Sequence, residues 1–418
     1  MKRLIILGWI TVVFMLLING CNNNDTLESQ TETIKIGVLL PFSREGEQAV
    51  MDKRLKGVIL AKEEINNNGY LLDRKIELII ADNQGKYEEN ILKADELVEH
   101  GCVAIIGPSW SSRTIEVAQK VTIPNNIVLI SPTATSPLIS HLETKNLVFR
   151  TIPSDVFQGK AAANYAYSNL KTRSASVIYV DNAYGSSLAH AFRNEYTLLG
   201  GIIESFKSYE ELESYDLYDF TSVAKSVLQN EPDLIYQVSY VQEGAKIATT
   251  MNNVITPGYN PKLMGSESLS ASDFLPPNSP SDFVNGMIIL NPGSNKNNPH
   301  LKEFQANYWE LFNEEIKDPP SANCYDALYL LAYAILNAQS TNPMVFKDHI
   351  LKIANGGEII GVNEFDKAKA LIEAGTDIDY NGVPGRLDLD KNGDLSNGTY
   401  LILKIVNNDF EEIGTIDF

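Results

Sequence analysis

Two segments dense in hydroxyls are the first candidates for chemistry: Gly107-Pro108-Ser109-Trp110-Ser111-Ser112-Arg113-Thr114 and Ser131-Pro132-Thr133-Ala134-Thr135-Ser136. Each follows a short apolar run and opens into a helical pattern. Backbone amides at a helix start, joined by Ser or Thr hydroxyls, make a neutral anion site suited to a carboxylate. Taken singly, such hydroxyls are ordinary N-caps. Two sets on neighbouring strand ends point to a site, because open α/β sheets bind ligands beyond the carboxyl ends of their strands. A second group has the opposite character: Asp181-Asn182-Ala183-Tyr184-Gly185, Ser239-Tyr240 and Gly265-Ser266-Glu267-Ser268. Here Glu267 suits an ammonium, while Tyr184 and Tyr240 supply apolar walls with polar tips. Singly, Tyr184 serves equally as cover for a turn and Glu267 as a helix cap.

The elements that must hold these residues are legible as alternating patterns. Apolar runs rich in Ile and Val occur at 36–40, 76–81, 103–106 and 127–130, and again at 175–180, 202–206, 234–238, 262–264 and 284–290. Each is bounded by Gly, Pro, Asn or Asp, as expected for strands buried on both faces. Helical patterns lie between them, at 54–67, 90–100, 157–170 and 187–199. Strand–helix alternation of this kind predicts parallel sheets covered by helices. Two such series, divided near Thr151-Ile152-Pro153, predict an α/β protein of two doubly wound lobes. After them come helical patterns at 301–312 and 325–339, then 386–390 and 399–406, which alternate as a hairpin would. The chain is therefore expected to cross between lobes more than once, through a multi-strand hinge.

Length and charge narrow the classes. A chain of 418 residues is long for one core and comfortable for two. Its formal charge of −19 argues against a nucleic-acid partner, which would need a basic surface. At the N-terminus, Lys2 and Arg3 precede the apolar stretch Leu4–Ile18, which ends in Asn19-Gly20-Cys21. That is a secretory signal pattern, shorter than the roughly 20 residues of a membrane-spanning helix. A Cys after small residues resembles the bacterial lipoprotein processing site, so Cys21 is the expected lipidation position. Asn22–Thr33 is polar and reads as a tether. Cys102 flanks an apolar strand and Cys324 opens an apolar helix, so both are expected as buried free thiols. The five His show no metal-ligand spacing, and no metal or cofactor is expected.

In order along the chain, Ile36-Gly37-Val38-Leu39-Leu40-Pro41, Ile105-Ile106-Gly107-Pro108, Ile130-Ser131-Pro132-Thr133-Ala134-Thr135, Asp181-Asn182-Ala183-Tyr184-Gly185 and Tyr325-Asp326-Ala327 resemble the type I periplasmic binding proteins. The likeness is to the branched-chain amino-acid (Leu/Ile/Val) group that serves ABC importers, and it runs from about Thr33 to the end. The resemblance implies a clamshell whose first lobe grips the ligand carboxylate through Ser111 or Ser112 with Thr133 and Thr135. It implies that Tyr184 and Tyr240 close from the second lobe and that Glu267 takes the ammonium, with Asp155 at the lobe crossing a further candidate. Where the family often carries an aromatic over the ligand side chain, this chain has Val50 or its neighbours; Trp110 instead brings an aromatic beside Ser111. The disulfide of some members is not reproduced around Cys102.

The segment Asp388-Leu389-Asp390-Lys391-Asn392-Gly393-Asp394 looks like half a calcium loop, but Thr399 stands where the twelfth-position acid belongs. Asn392-Gly393 fits a type I′ turn instead. There is no Gly-x-Ser-x-Gly elbow, P-loop or Gly-x-Gly-x-x-Gly, so an enzyme is not expected.

The expected organisation is a lipoprotein signal over 1–20 and a tether over 21–33. The first lobe takes 34–152 and about 291–382, and the second 153–290 and about 383–418. The expected function is an extracytoplasmic, lipid-anchored binder in the bacterial envelope. It captures a small ligand, foremost an amino acid, as a monomer by hinge closure and delivers it to an ABC permease. A ligand-sensing lipoprotein, or a binder of amides, urea-like solutes or short peptides, is the alternative.

Overall fold

The computed structural model describes residues 33–212 and 214–418. The expected signal, Cys21 and nearly all of the tether lie outside them. The first lobe is a five-stranded parallel sheet in the order β2-β1-β3-β4-β5. Its strands are β1 (Ile34–Leu40), β2 (Ile76–Asp82), β3 (Ala104–Ile106), β4 (Val128–Ser131) and β5 (Val148–Arg150). Helices α1 (Gln48–Asn67), α2 (Tyr87–Glu99) and α3 (Ser111–Val117) make the crossovers, α3 running on as a π-helical turn to Thr122. Every residue of β3 and β4 is buried, the pattern of parallel strands covered on both faces. Gly107, at φ 110°, ends β3 so close to β1 that a Cβ there would lie 2.2 Å from the Leu39 carbonyl oxygen.

The second lobe begins with α4 (Asp155–Asn164) and continues with β6 (Ser174–Asp181), α5 (Ala183–Leu198), β7 (Ile202–Glu210), α6 (Thr221–Leu228) and β8 (Leu234–Val238). Next come α7 (Val241–Val254), β9 (Lys262–Gly265), α8 (Ser281–Val284) and β10 (Ile288–Pro292). The chain then returns to the first lobe with α9 (Pro299–Phe312), α10 (Pro319–Ala338), α11 (Pro343–Ile353), β11 (Glu358–Ile360), α12 (Phe365–Glu373), β12 (Ile378–Gly382) and β13 (Gly385–Arg386). Residues Ser321–Leu336 of α10 are buried all round, which places that helix at the centre of the first core. Its close approach to α1 needs Gly57, whose added Cβ would sit 2.2 Å from the Ser321 carbonyl oxygen.

The chain ends on β14 (Thr399–Val406) and β15 (Asp409–Asp417), which extend the second sheet to the order β15-β14-β10-β9-β8-β6-β7. β14 pairs antiparallel with β10 and β15.

Several expectations need correction here. The segment 386–390 does not pair with 399–406; the hairpin is β14–β15, turned by Asn407 and Asn408 at φ 51° and 65°. At 392–393 only Gly393 has positive φ, so that turn is not type I′. The run 284–290 is a helical turn before it is a strand. β5 is not among the expected strands: its run, Val148-Phe149-Arg150, holds two apolar residues before a charged one. Leu387, Leu389 and Leu395 pack in the first core and Tyr400 in the second, so the last crossing falls after Leu395 rather than near 383. Burial of these three leucines holds the chain in the first core past that point.

Candidate functional site

In the first lobe the two hydroxyl segments meet at Ser111. Its Oγ, on a buried side chain, accepts hydrogen bonds from the backbone N–H of Thr135 at 3.2 Å and of Ser136 at 3.1 Å. With both lone pairs filled, its O–H is left to donate. The segments are braced elsewhere as well. Ser131 Oγ donates to the Pro108 carbonyl at 2.8 Å and accepts from Ala134 N–H at 3.1 Å. Thr133 Oγ1 donates to the Ser109 carbonyl at 2.6 Å, so that hydroxyl proton is already used. Ser112 Oγ accepts from Arg113 at 3.1 Å. Arg150, fully buried, props the second segment from behind. It donates to the carbonyls of Ala134 (3.3 Å) and Ser136 (2.9 Å) and pairs with Asp394 at 2.6 Å.

The acids of the calcium-like segment are therefore engaged with protein. Asp394 holds Arg150, and one Asp390 oxygen accepts from the N–H groups of Asn392 and Asp394.

In the second lobe, Asn182 caps α5 by accepting from Tyr184 and Gly185 N–H, and its amide donates to Tyr240 Oη at 3.2 Å. This fixes the rings of Tyr184 and Tyr240, which stack at 5.4 Å. Tyr184 Oη accepts from Ser268 Oγ at 3.0 Å. Glu267 accepts from Gln158 Nε2 at 2.5 Å. Burial lifts the Glu267 carboxyl above the usual carboxylate range, with the donors Gln158, Tyr184 and Ser268 acting against it. Gln158 was missed in the sequence; its signal is the three-residue spacing from Asp155, which puts both on one face at the start of α4. Asp155 is fully buried and its N–H donates to the Thr135 carbonyl at 2.8 Å, tying the lobe crossing to the hydroxyl segment. Burial, then the Glu267 charge, pushes its carboxyl well above the usual range, against the Thr135 hydroxyl and Arg150.

The two lobes are in contact. Trp110 lies 5.9 Å from Tyr240 between ring centroids, and Ser136 and Ser187 hydroxyls meet at 2.8 Å. Arg113 pairs with Glu211 at 3.2 Å, and Gln242 donates to the Glu45 carbonyl at 2.8 Å. Trp110 thus joins the hydroxyl segments to Tyr240, while Asp155, at the lobe crossing, is tied to Thr135 by its N–H and lies near the Glu267 charge. Val50, where an aromatic would be usual, packs partly buried against the first core. Cys102 and Cys324 are buried and unbridged, and burial pushes their thiols up to about 11 and about 12.

The family model described as "Receptor family ligand binding region" matches residues 53–408. The Leu/Ile/Val-binding protein BraC3 of Rhizobium johnstonii is 28% identical over 270 residues, covering 64% of this chain and 70% of the relative. The chemotactic signal transduction system substrate-binding protein BasB of Halobacterium salinarum is 23% identical over 369 residues, covering 86% and 84%. Among solved structures, the leucine-binding protein LivK of Thermotoga maritima superimposes with a TM-score of 0.75 at 24% identity, covering 92% of this chain and 99% of that one. These relatives are binding proteins by name, and this chain shares the fold of the LivK structure.

Proposed function

We propose that this chain, which belongs to the receptor-family ligand-binding-region proteins, captures an amino acid between its lobes and delivers it to an ABC importer at the bacterial envelope, tethered by lipid on Cys21. The observation that carries the reading is the division of chemistry across the cleft. Ser111 has an O–H to give and belongs to the first lobe, while Glu267, flanked by Tyr184, belongs to the second. A zwitterion satisfies both: its carboxylate takes the Ser111 hydroxyl with the Thr135 segment, and its ammonium takes Glu267. Thr133 gives its hydroxyl proton to the Ser109 carbonyl and acts as a brace, while Ser112 Oγ accepts from Arg113. Closure excludes water, which strengthens the Glu267–ammonium attraction relative to the open state. The printed name of the BraC3 relative agrees with a branched aliphatic side chain.

A thermal-shift screen of the form starting at Asn22 against all amino acids, amides and small organic acids tests this. A ligand at a thousand times its Kd stabilises by about 4 kcal/mol. A shift confined to amino acids and lost in Glu267→Gln is the expected result; no shift with any amino acid removes the reading. The chemotactic relative favours a second reading, in which the same closure reports occupancy to a signalling partner.

A further inference from the structure

Asp155 is a carboxylic acid with nothing to neutralise it. It opens α4, directly after the first crossing between lobes, and its side chain is fully buried. Neither of its carboxylate oxygens makes a hydrogen bond of good geometry among the described residues, the Thr135 hydroxyl being close enough only to counter part of the upward push of burial. Besides Thr135 and its own helix, the groups that face it come from five places. Arg150 on β5 is the one nearby cation, and its guanidinium is committed to Asp394 and to the carbonyls of Ala134 and Ser136. Glu267, beyond β9, adds a second negative charge; Gln158, one turn along α4 from Asp155, donates to it at 2.5 Å, so both acids face the same space. Tyr184 on α5, Tyr236 on β8 and Tyr400 on β14 complete the surround, all three with hydroxyls that burial keeps protonated. Tyr400 Oη is itself buried without a partner.

An amino acid brings one ammonium for two acids. Once Glu267 has taken it, an ionised Asp155 would be left buried beside it, uncompensated, which is the arrangement that desolvation and like-charge repulsion both disfavour. We infer that Asp155 is the neutral acid in the closed clamshell, so that closing over a ligand with a single ammonium takes up one proton from solvent. The step is protonation of one carboxylate by buffer or water. Nothing else is made or broken. The inference rests on the amino-acid reading for the ligand and on the closed geometry for the acid. As a neutral acid Asp155 has an O–H to donate and a carbonyl to accept, and the Thr135 and Tyr400 hydroxyls are the groups beside it. Asp155 is thereby a positioning residue for the ammonium end of the site, acting through Thr135 and Glu267.

Calorimetric titration of the binding amino acid in buffers of different ionisation enthalpy reads the proton directly. Uptake of about one proton per ligand near neutral pH is expected, with affinity falling about tenfold per pH unit as pH rises above the open-state value. In Asp155→Asn the uptake disappears and affinity no longer varies with pH. No uptake in the wild type, or a bound ligand carrying two cationic groups, overturns the inference. Stability of the ligand-saturated protein reads the same proton independently. A buried acid with a raised folded value contributes stability at low pH that is lost as pH rises through that value. With ligand saturating, Asp155→Asn should therefore gain on the wild type in melting temperature between pH 4.5 and pH 8; a gap that is flat with pH overturns the inference without touching the amino-acid reading.

Discussion

Arg113 of the first lobe and Glu211 of the second form an ion pair at 3.2 Å, and the Arg113 guanidinium lies 3.5 Å over the Tyr87 ring. Tyr87 Oη also reaches Glu211, at 3.3 Å. Arg113 is nearly buried and anchored to the Gly85 carbonyl, so its position is set before the lobes meet. Among the described residues Glu211 has no comparable anchor in its own lobe, so its contact with Arg113 is the one that lobe separation would break.

Glu211→Gln should therefore weaken closure and leave each lobe intact. The pair is partly exposed, so about 1 kcal/mol is expected, or roughly fivefold in ligand affinity, carried by faster dissociation. Stopped-flow dissociation at low and high salt checks this. The wild type should lose part of its advantage in salt and the variant should not.

Ser111→Ala removes the acceptor for two buried backbone N–H groups as well as the hydroxyl offered to a ligand. Loss of about 1–3 kcal/mol in stability of the ligand-free protein is expected from the stranded amides. Denaturant unfolding measures it, and ligand binding should fall further than that loss explains.

Gly57→Ala tests the contact between α1 and α10. The new Cβ would meet the Ser321 carbonyl oxygen at 2.2 Å, so one helix must shift. A cost of about 1–3 kcal/mol follows, the usual range for overpacking, and it should appear as a lower melting temperature with no change in the site's selectivity.

Asp326 gives a pH prediction for the first lobe. Burial pushes its carboxyl up to about 7, against the Tyr380 hydroxyl and the Val383 N–H, from an ordinary value of 3.8. Its folded value lies above its unfolded value, so the native state binds the extra proton. Its contribution to stability is complete below pH 3.8 and is lost as pH rises through about 7. Asp326→Asn, whose side-chain oxygen can still accept from Tyr380 and Val383, should flatten the fall in melting temperature between pH 5 and pH 8. An unchanged slope would contradict the assignment.

The framework was readable because its signal is local. Strand runs such as 234–238 coincide with β8 residue for residue, since apolar β-branched runs bounded by turn residues leave few alternatives. What escaped was decided by distant contacts. β15 alternates polar and apolar at the sheet edge and carries charges, so nothing in its composition names its partner. Ser111 and Ser112 look alike in sequence, and only the fold places the Ser111 hydroxyl beneath the Thr135 and Ser136 amides. The Arg150–Asp394 pair joins positions 244 apart in sequence, and only the fold brings them together.

The most direct test separates the two ends of the ligand. Calorimetric titration would compare the amino acid selected by the screen with its deamino and decarboxy analogues, using wild type and Glu267→Gln. Tight binding of the intact amino acid alone, with Glu267→Gln reduced at least about a hundredfold as expected for stranding a buried charge, is the predicted result. Equal binding of the analogue that lacks the ammonium would contradict the account, because Glu267 would then have no cation to hold.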